Sequence, residues 1–285
     1  MKKGLCIVFL LSFISFPVWS QTTGEYDLSY RYNVEGPIQY KMSMNRLEEK
    51  KFSGYASIPT QVSLTIQFTQ ENTSAEGDSL LRILMTFDKA EVMTRLPGRT
   101  MEPNTDVLNA QSVTAVITPK GEVSEMIGLA LLPHVQIDPA NIMGENLGDY
   151  LKQFFLELPE KPVKVGEKWQ ISKTDTTMEY GMTTISTTNV DMQFKGLKDR
   201  QGFECAQLVG KIKVDLTQSG QSAGSDISFE GDGKGKLEAF LAVKEGILVF
   251  YKGSQSIDGL ITVKGTQNLE GTYSLENEAV YERNE

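Results

Sequence analysis

The chain of 285 residues carries 37 acidic against 28 basic residues, a formal net charge of −9, with two cysteines and one histidine. This balance leaves nucleic acid and anionic membrane as poor partners, because both are bound chiefly by basic surface. One histidine and two cysteines cannot build the usual zinc ligand sets, and no aspartate-rich stretch has calcium-loop spacing, so neither metal nor cofactor is expected.

The N-terminus reads as a secretory signal. Lys2 and Lys3 precede an apolar stretch from Leu5 to Val18, and Val18-Trp19-Ser20 ends in a small residue ahead of Gln21. The expected organisation is a signal peptide over 1–20, cleaved near Ser20, and one β-rich domain over 21–285; an uncleaved anchor is the alternative. Cys6 lies at the beginning of the apolar stretch and not at its end, which argues against lipid attachment. The expected product is therefore exported, periplasmic or extracellular, and soluble. Cleavage removes Lys2 and Lys3, leaving 26 basic against 37 acidic residues, a net charge of −11. Cys205 is then the only cysteine, so a core without a disulfide must hold the domain, and about 265 residues suffice to bury one.

Apolar residues then alternate at period two. Tyr26, Leu28, Tyr30, Tyr32 and Val34 share one face, and after Glu35-Gly36-Pro37 so do Ile38, Tyr40, Met42 and Met44, a pattern that predicts a hairpin. Val62 to Phe68 predicts a third strand and Leu81 to Phe87 a fourth. In the fourth, Ala90, Val92 and Leu96 switch parity, which predicts a bulge at Asp88 to Lys89. A hairpin over Val113 to Met126 turns at Thr118-Pro119-Lys120-Gly121.

Met143, Leu147, Tyr150, Leu151, Phe154, Phe155 and Leu158 follow at helical spacing, a stripe that predicts one principal helix beginning near Asp138-Pro139 and stopped by Pro159. Pro162 and Gly166 supply the reversal, and Trp169 opens the returning strand, expected to pack beside the stripe. Met178, Tyr180, Met182, Val190, Met192 and Phe194 share one parity, which predicts one very long strand or two meeting near Ser186 to Asn189. A turn at Lys198 to Gly202, a strand through Leu216, and a glycine-rich loop over Gln218 to Gly235 come next. Strands over Ala239 to Val243, Ile247 to Tyr251 and Ile257 to Val263, with turns at Lys244 to Gly246 and Lys252 to Ser254, and a last strand from Leu269 complete the pattern. The fold class expected is mainly β: a curved antiparallel sheet or half-barrel with one principal helix packed on its concave face.

Three stretches carry a resemblance: Ile117-Thr118-Pro119-Lys120-Gly121-Glu122-Val123, the junction from Leu158-Pro159 through Gly166-Glu167-Lys168-Trp169, and Lys244-Glu245-Gly246-Ile247-Leu248. Together they resemble a family of uncharacterised exported bacterial β-rich proteins, a domain-of-unknown-function family with many lipoprotein members, over most of the mature chain. The resemblance implies export and a bacterial envelope, and it supplies no catalytic residues.

No motif for catalysis holds up. Gly77-Asp78-Ser79-Leu80 spells an esterase nucleophile motif, but the single histidine, His134, has Leu131 three residues before it where that family needs aspartate. Glu230 to Lys236 has the glycines of a phosphate loop without its Gly-Lys-Ser/Thr spacing, and reads as a mobile loop. What remains is apolar surface: Tyr40, Met42 and Met44 with Tyr26, Tyr30 and Tyr32; Met178, Tyr180, Met182 and Met192; and Ile127 to Ile137. Methionine adapts to varied apolar shapes. The leading expectation is a non-catalytic envelope protein holding an apolar, lipid-like ligand in a sheet-plus-helix pocket lined by Tyr40, Met42, Met44, Tyr150, Phe154, Trp169, Met178, Tyr180 and Met182. By shape alone it is similar to half-barrel periplasmic carriers. The competing class is an adaptor offering a sheet edge or acidic surface to another envelope protein, and the third a hydrolase whose carboxylate pair nothing singles out. An open cavity beneath Tyr150 to Phe155 favours the carrier, a filled one the adaptor.

Overall fold

The computed structural model describes residues 24–75, 79–132, 147–179, 181–222, 224–265 and 268–284. The expected signal peptide and cleavage site, Tyr180, and the segment from Pro133 to Gly144 with His134 lie outside the described residues. Twelve strands form one sheet: β1 (Ile38–Phe52), β2 (Ile58–Asn72), β3 (Leu81–Leu96), β4 (Arg99–Met101), β5 (Ser112–Ile117), β6 (Val123–Ile127), β7 (Lys168–Glu179), β8 (Met182–Arg200), β9 (Phe203–Ser222), β10 (Ser225–Ala242), β11 (Ile247–Lys264) and β12 (Leu269–Arg283). Their order is β6-β5-β3-β2-β1-β12-β11-β10-β9-β8-β7, with β4 beside β3, so β6 and β7 are the two ends and the sheet is open. Neighbours are antiparallel throughout. Two meanders, β1 to β6 and β7 to β12, join where β1 pairs with β12.

Period-two patterning forms the strands and sorts their two faces. Along β2 the even residues Val62, Leu64, Ile66 and Phe68 are buried, and along β12 the odd residues Tyr273, Leu275, Ala279 and Tyr281. The parity switch in β3 is a bulge as expected. Gln67 faces Lys89 and Phe68 faces Phe87, so Asp88 is extruded and both Phe87 and Ala90 reach the core face. The β5–β6 hairpin and the turns at Gln201-Gly202 and Lys244 to Gly246 also stand where the spacing places them.

Because β6 and β7 are opposite ends of the sheet, residues 128–167 between them must pass across its width. The described part of that crossing segment, residues 147–167, lies over the core face. Phe154 lies edge-on to Phe68 of β2 at 4.5 Å and against Tyr281 of β12 at 4.2 Å, and Leu156 N–H donates to the Tyr30 hydroxyl at 2.9 Å. Leu158 N–H donates to the Lys120 carbonyl, Val163 exchanges backbone bonds with Tyr26, and Gly166 N–H donates to the Phe194 carbonyl of β8. The prolines and Gly166, at φ 90°, thus steer the chain from the core face into β7. The principal helix on a concave face is corrected: among the described residues the helix is only α1 (Leu147–Lys152), and Phe154, Phe155 and Leu158 are buried without it. Gly148 weakens helix, and a chain bonded in turn to Tyr30, Lys120, Tyr26 and Phe194 cannot keep its backbone bonds to itself.

The first expected hairpin is also corrected. Residues 24–37 pair with the sheet nowhere, because β12 occupies the place beside β1. They form a strap instead: Tyr30 N–H donates to the Pro119 carbonyl, Arg31 N–H to Gly246 and Asn33 N–H to Glu245. Lys120 Nζ clamps it by donating to Asp27 Oδ1 at 2.7 Å and the Leu28 carbonyl at 2.8 Å, and the Lys120 bond holds the Asp27 carboxyl below its ordinary value of 3.8. Tyr32, at φ 50°, breaks the extended run.

Three further expectations change. The very long strand is a hairpin, β7–β8, closed by Glu179 opposite Met182 around Gly181 at φ 79°. A two-residue turn preserves the sequence parity while reversing the face, which leaves Met178 77% exposed and hides the turn from periodicity. The glycine-rich loop is strand, in the β9–β10 hairpin. Gly231, Gly233 and Gly235 alternate on the core face, where added Cβ atoms would come within 2.4–2.7 Å of the β11 backbone. Lys252 to Ser254 is no turn but the middle of β11, where the Tyr251 ring covers Gly253.

The core has two parts. The larger lies under the strap and the crossing segment; the smaller gathers Val214, Leu216, Phe229, Ile257, Ile261, Tyr273 and Leu275, with Phe229 edge-on to Tyr273 at 5.2 Å. Gly231 and Gly259 leave room for the Phe229 ring. Gly233→Val should therefore destabilise the protein by about 1–3 kcal/mol through overpacking against Ser256 and Ile257. In urea denaturation its midpoint should fall while Gly24→Ala, where an added Cβ meets nothing, leaves it in place.

Burial pushes the Tyr251 phenol from 10.0 up to about 12 and raises those of Tyr30, Tyr32, Tyr40 and Tyr281 well above the ordinary value too. Their folded values exceed the unfolded one, so their contribution is complete below pH 10 and lost as the pH rises toward 12. Thermal melts across that window should show a steep fall in midpoint, and a flat profile would contradict the buried phenols.

Candidate functional site

The nine expected pocket residues do not form one pocket. Tyr40, Met42, Met44, Tyr150 and Phe154 come together in the larger core, each at most 4% exposed. Tyr40 stacks on Phe68 and donates its hydroxyl to the Leu248 carbonyl at 2.7 Å. The space beneath Tyr150 to Phe155 is thus filled by protein. Trp169, half-buried opposite Met192, packs against the same core. Met178 is exposed near the far end of β7, and Met182 is half-buried at the start of β8. Tyr180 lies outside the described residues. Of the apolar segment Ile127 to Ile137, Ile127 and Leu131 are exposed and the remainder from Pro133 is not described.

A feature that periodicity concealed separates the two parts of the core. Arg46, Glu48 and Lys50 occupy successive core-facing positions of β1 and are 2%, 0% and 7% exposed. Glu48 accepts ion pairs on both carboxylate oxygens, Oε1 with Arg46 and Oε2 with Lys50 at 3.2 Å. Arg46 also donates to the Tyr150 hydroxyl at 3.4 Å, and the Lys50 ammonium stands 6.0 Å from the Tyr273 ring centroid. Asn277 is Arg46's partner on β12 and Thr60 is Glu48's partner on β2. In the sequence these three charges continue the alternation of Tyr40, Met42 and Met44, and only that continuation could have flagged them.

Chemically this row is a paired network and not an acid–base dyad, since it holds a single carboxylate. Among the described residues no cluster of His, Cys, Asp and Glu side chains is arranged to hold a metal ion. The Cys205 thiol is buried, and burial with the nearby Asp199 carboxylate pushes it up to about 11, which leaves it a poor nucleophile.

Two cavities lie elsewhere on the sheet. One of about 820 Å³ is lined from β8 through β12 to β1 and β2, with Gln61 and Asp191 at its margins. The other, about 960 Å³, is lined by Trp169, Met192 and Leu237 among others, and shares Asp191, Lys211, Lys236 and Ser254 with the first. The Trp169 indole N–H has no hydrogen-bond partner among the described residues.

No protein-family model and no curated protein matches the chain. Among solved structures it is similar to Pseudomonas aeruginosa OccK11 (OpdR), at 8% identity and a TM-score of 0.24 over 92% of this chain and 100% of that one. It is also similar to P. aeruginosa OccK9 (OpdG), at 7% and 0.23 over 88% and 100%, and to OmpTdeltaL8, a loop-deletion mutant of an outer membrane protein of Vibrio cholerae, at 8% and 0.20 over 87% and 100%. Scores this low carry no argument about fold or function. Among the described residues no helix is long and apolar enough to cross a membrane, which says nothing of strands.

Glu48→Ala should cost about 3–5 kcal/mol by removing the carboxylate that Arg46 and Lys50 share inside the core. Denaturant titration measures this. A change under about 1 kcal/mol would mean that the row is solvated.

Proposed function

We propose that the chain is a non-catalytic protein exported to the cell envelope, where it acts as an adaptor that receives a strand of another envelope protein along β7. The open edge carries this reading. β7 is a twelve-residue strand, whereas the opposite end, β6, has five. Phe194 N–H donates to the Glu167 carbonyl at 3.0 Å, which makes Lys168 and Gln193 a non-hydrogen-bonded pair. The register then runs to Glu179 without a shift, so Gln170, Ser172, Thr174 and Thr176 turn their backbone N–H and C=O groups away from β8. Apart from Trp169, Ile171 and Met178, the side chains along this edge are polar and mostly exposed, with no proline or bulge to block pairing. Main-chain bonds to such an edge supply affinity without a pocket.

A carrier of a lipid-like ligand is the second reading, and it rests on the half-buried Trp169 at the 960 Å³ cavity, since the space under Tyr150 and Phe154 is filled. The resemblance to exported bacterial proteins supports either reading's compartment. Native mass spectrometry of the chain from Gln21 separates them: a retained lipid that shifts Trp169 fluorescence favours the carrier.

Photo-crosslinking in the envelope tests the adaptor directly. A crosslinker at Thr176 should give a discrete protein adduct, and Thr174→Pro should abolish it, because proline removes an outward N–H while leaving the β7–β8 ladder whole. A crosslinker at Ser63, inside the sheet on β2, should give none. Equal adducts from Ser63 and Thr176, or an adduct indifferent to Thr174→Pro, would overturn strand addition.

A further inference from the structure

On the polar face, β9 and β10 set like charges directly opposite one another. Lys211 faces Lys236 and Lys213 faces Lys234; one step further, Asp215 faces Asp232, which faces Asp258 of β11. Opposite side chains in such pairs stand about 5 Å apart, and successive pairs about 7 Å along the strand. Like charges at this spacing repel. Exchanging only Asp232 and Lys234 would make both the Lys213 and the Asp215 pairs attractive, yet the chain sorts its charges into a block of four lysines and a row of three aspartates. Folding gives no reason for that order.

The four lysines are exposed, and among the described residues none of their ammonium groups has an ion-pair or hydrogen-bond partner. All four line the 820 Å³ cavity, whose margins Gln61 and Asp191 share their face. Asp191, directly opposite Lys211, accepts from Gln170 Nε2 at 2.7 Å, and Glu278 pairs with Lys252 at 2.9 Å, so these two carboxylates are shared with other groups. Toward β11, β12, β1 and β2 the same cavity is lined by Ser254, Ser256, Glu276, Asn45 and Gln61, with Leu47 among them, neutral donors and acceptors and one carboxylate that suit hydroxyl groups.

We infer that this cavity binds an oligosaccharide carrying sulfate or phosphate groups. The lysine block takes the anionic substituents through charge-assisted hydrogen bonds, and the serine, glutamate and amide wall takes the sugar hydroxyls. The Asp215–Asp232–Asp258 row repels anions beyond the block and so fixes how the ligand lies. A cavity of this size is ordinary for a small-ligand site. The net negative charge of the chain conceals the site, because the lysines are a local exception to it. This ligand is independent of strand addition at β7 and survives its failure.

Calorimetric titration of the chain from Gln21, at low salt, with a heparin-derived tetrasaccharide and with a disaccharide bearing one 6-phosphate tests the assignment. At least one should bind. Lys211→Gln/Lys236→Gln should weaken it about tenfold or more, while raising the melting temperature by about 1–2 °C through relief of repulsion. Lys51→Gln on β1, outside the cavity, should change neither. Silence with both probes, or binding indifferent to the double substitution, overturns the site. Inorganic triphosphate bound as tightly as the better probe overturns the saccharide assignment, since the site would then read charge alone.

Discussion

A sheet with one apolar face must have that face covered, and the rest of this molecule follows from how the covering is done. Strands of fifteen to twenty residues carry long apolar stripes, but among the described residues there is no second sheet, and a six-residue α-helix and two three-residue 3-10 turns are all the helix there is to lay against them. Over the larger core the cover is irregular chain: the strap before β1 and the crossing segment that links the two ends of the sheet. Both are pinned to turns and strand ends through backbone bonds at Pro119, Lys120, Gly246 and Phe194. Burial of Tyr30, Phe154, Phe155 and Leu158 is the driving force, at about 1.5–3 kcal/mol gross for each large side chain. Over the smaller core the sheet covers itself, with glycines on β10 and β11 making room for Phe229 and Ile257.

Between these two parts runs the buried row of Arg46, Glu48 and Lys50. One carboxylate stands between two cations, a net charge of +1, at three successive core-facing positions of the extended β1. A one-residue slip of β1 would carry the row to the polar face and Leu47 into the core. The row therefore specifies register as well as separating the two apolar clusters. Because charged and polar groups occupy the middle of the core face, the molecule does not offer one continuous apolar chamber. This is why its open edge and its polar face, and not its interior, carry the functional readings.

The fold class was legible because period-two patterning survives wherever one face is buried. The β3 bulge was legible for the same reason, since extruding Asp88 shifts parity and Phe87 and Ala90 record the shift. Three kinds of feature escaped. Tyr26 to Val34 alternate like a strand, but both hydrogen-bonding sides of β1 are taken, one by β2 and the other by β12. The stripe from Tyr150 to Leu158 has helical spacing, yet burial needs only that these side chains reach the core, which irregular chain achieves. The glycines of β10 read as a loop because composition does not reveal that each faces the backbone of a neighbouring strand. The pocket set failed for a related reason: a two-residue turn at Gly181 reverses the face, so Met178 and Met182 share parity without sharing a surface. The opposed lysines could not be seen before the β9–β10 register was known, although the period-two runs Lys211, Lys213, Asp215 and Asp232, Lys234, Lys236 stand in the sequence.

The central claim is an open sheet with β7 as its free edge, and residue-resolved amide hydrogen exchange by NMR tests it most directly. The amides of Gln170, Ser172, Thr174 and Thr176 should exchange far faster than those of Ile171, Lys173, Asp175 and Thr177, which bond to β8, while both parities of β8 stay protected. Uniform protection along β7 would show that its outer side is already paired, and would contradict both the open sheet and the edge as a docking site.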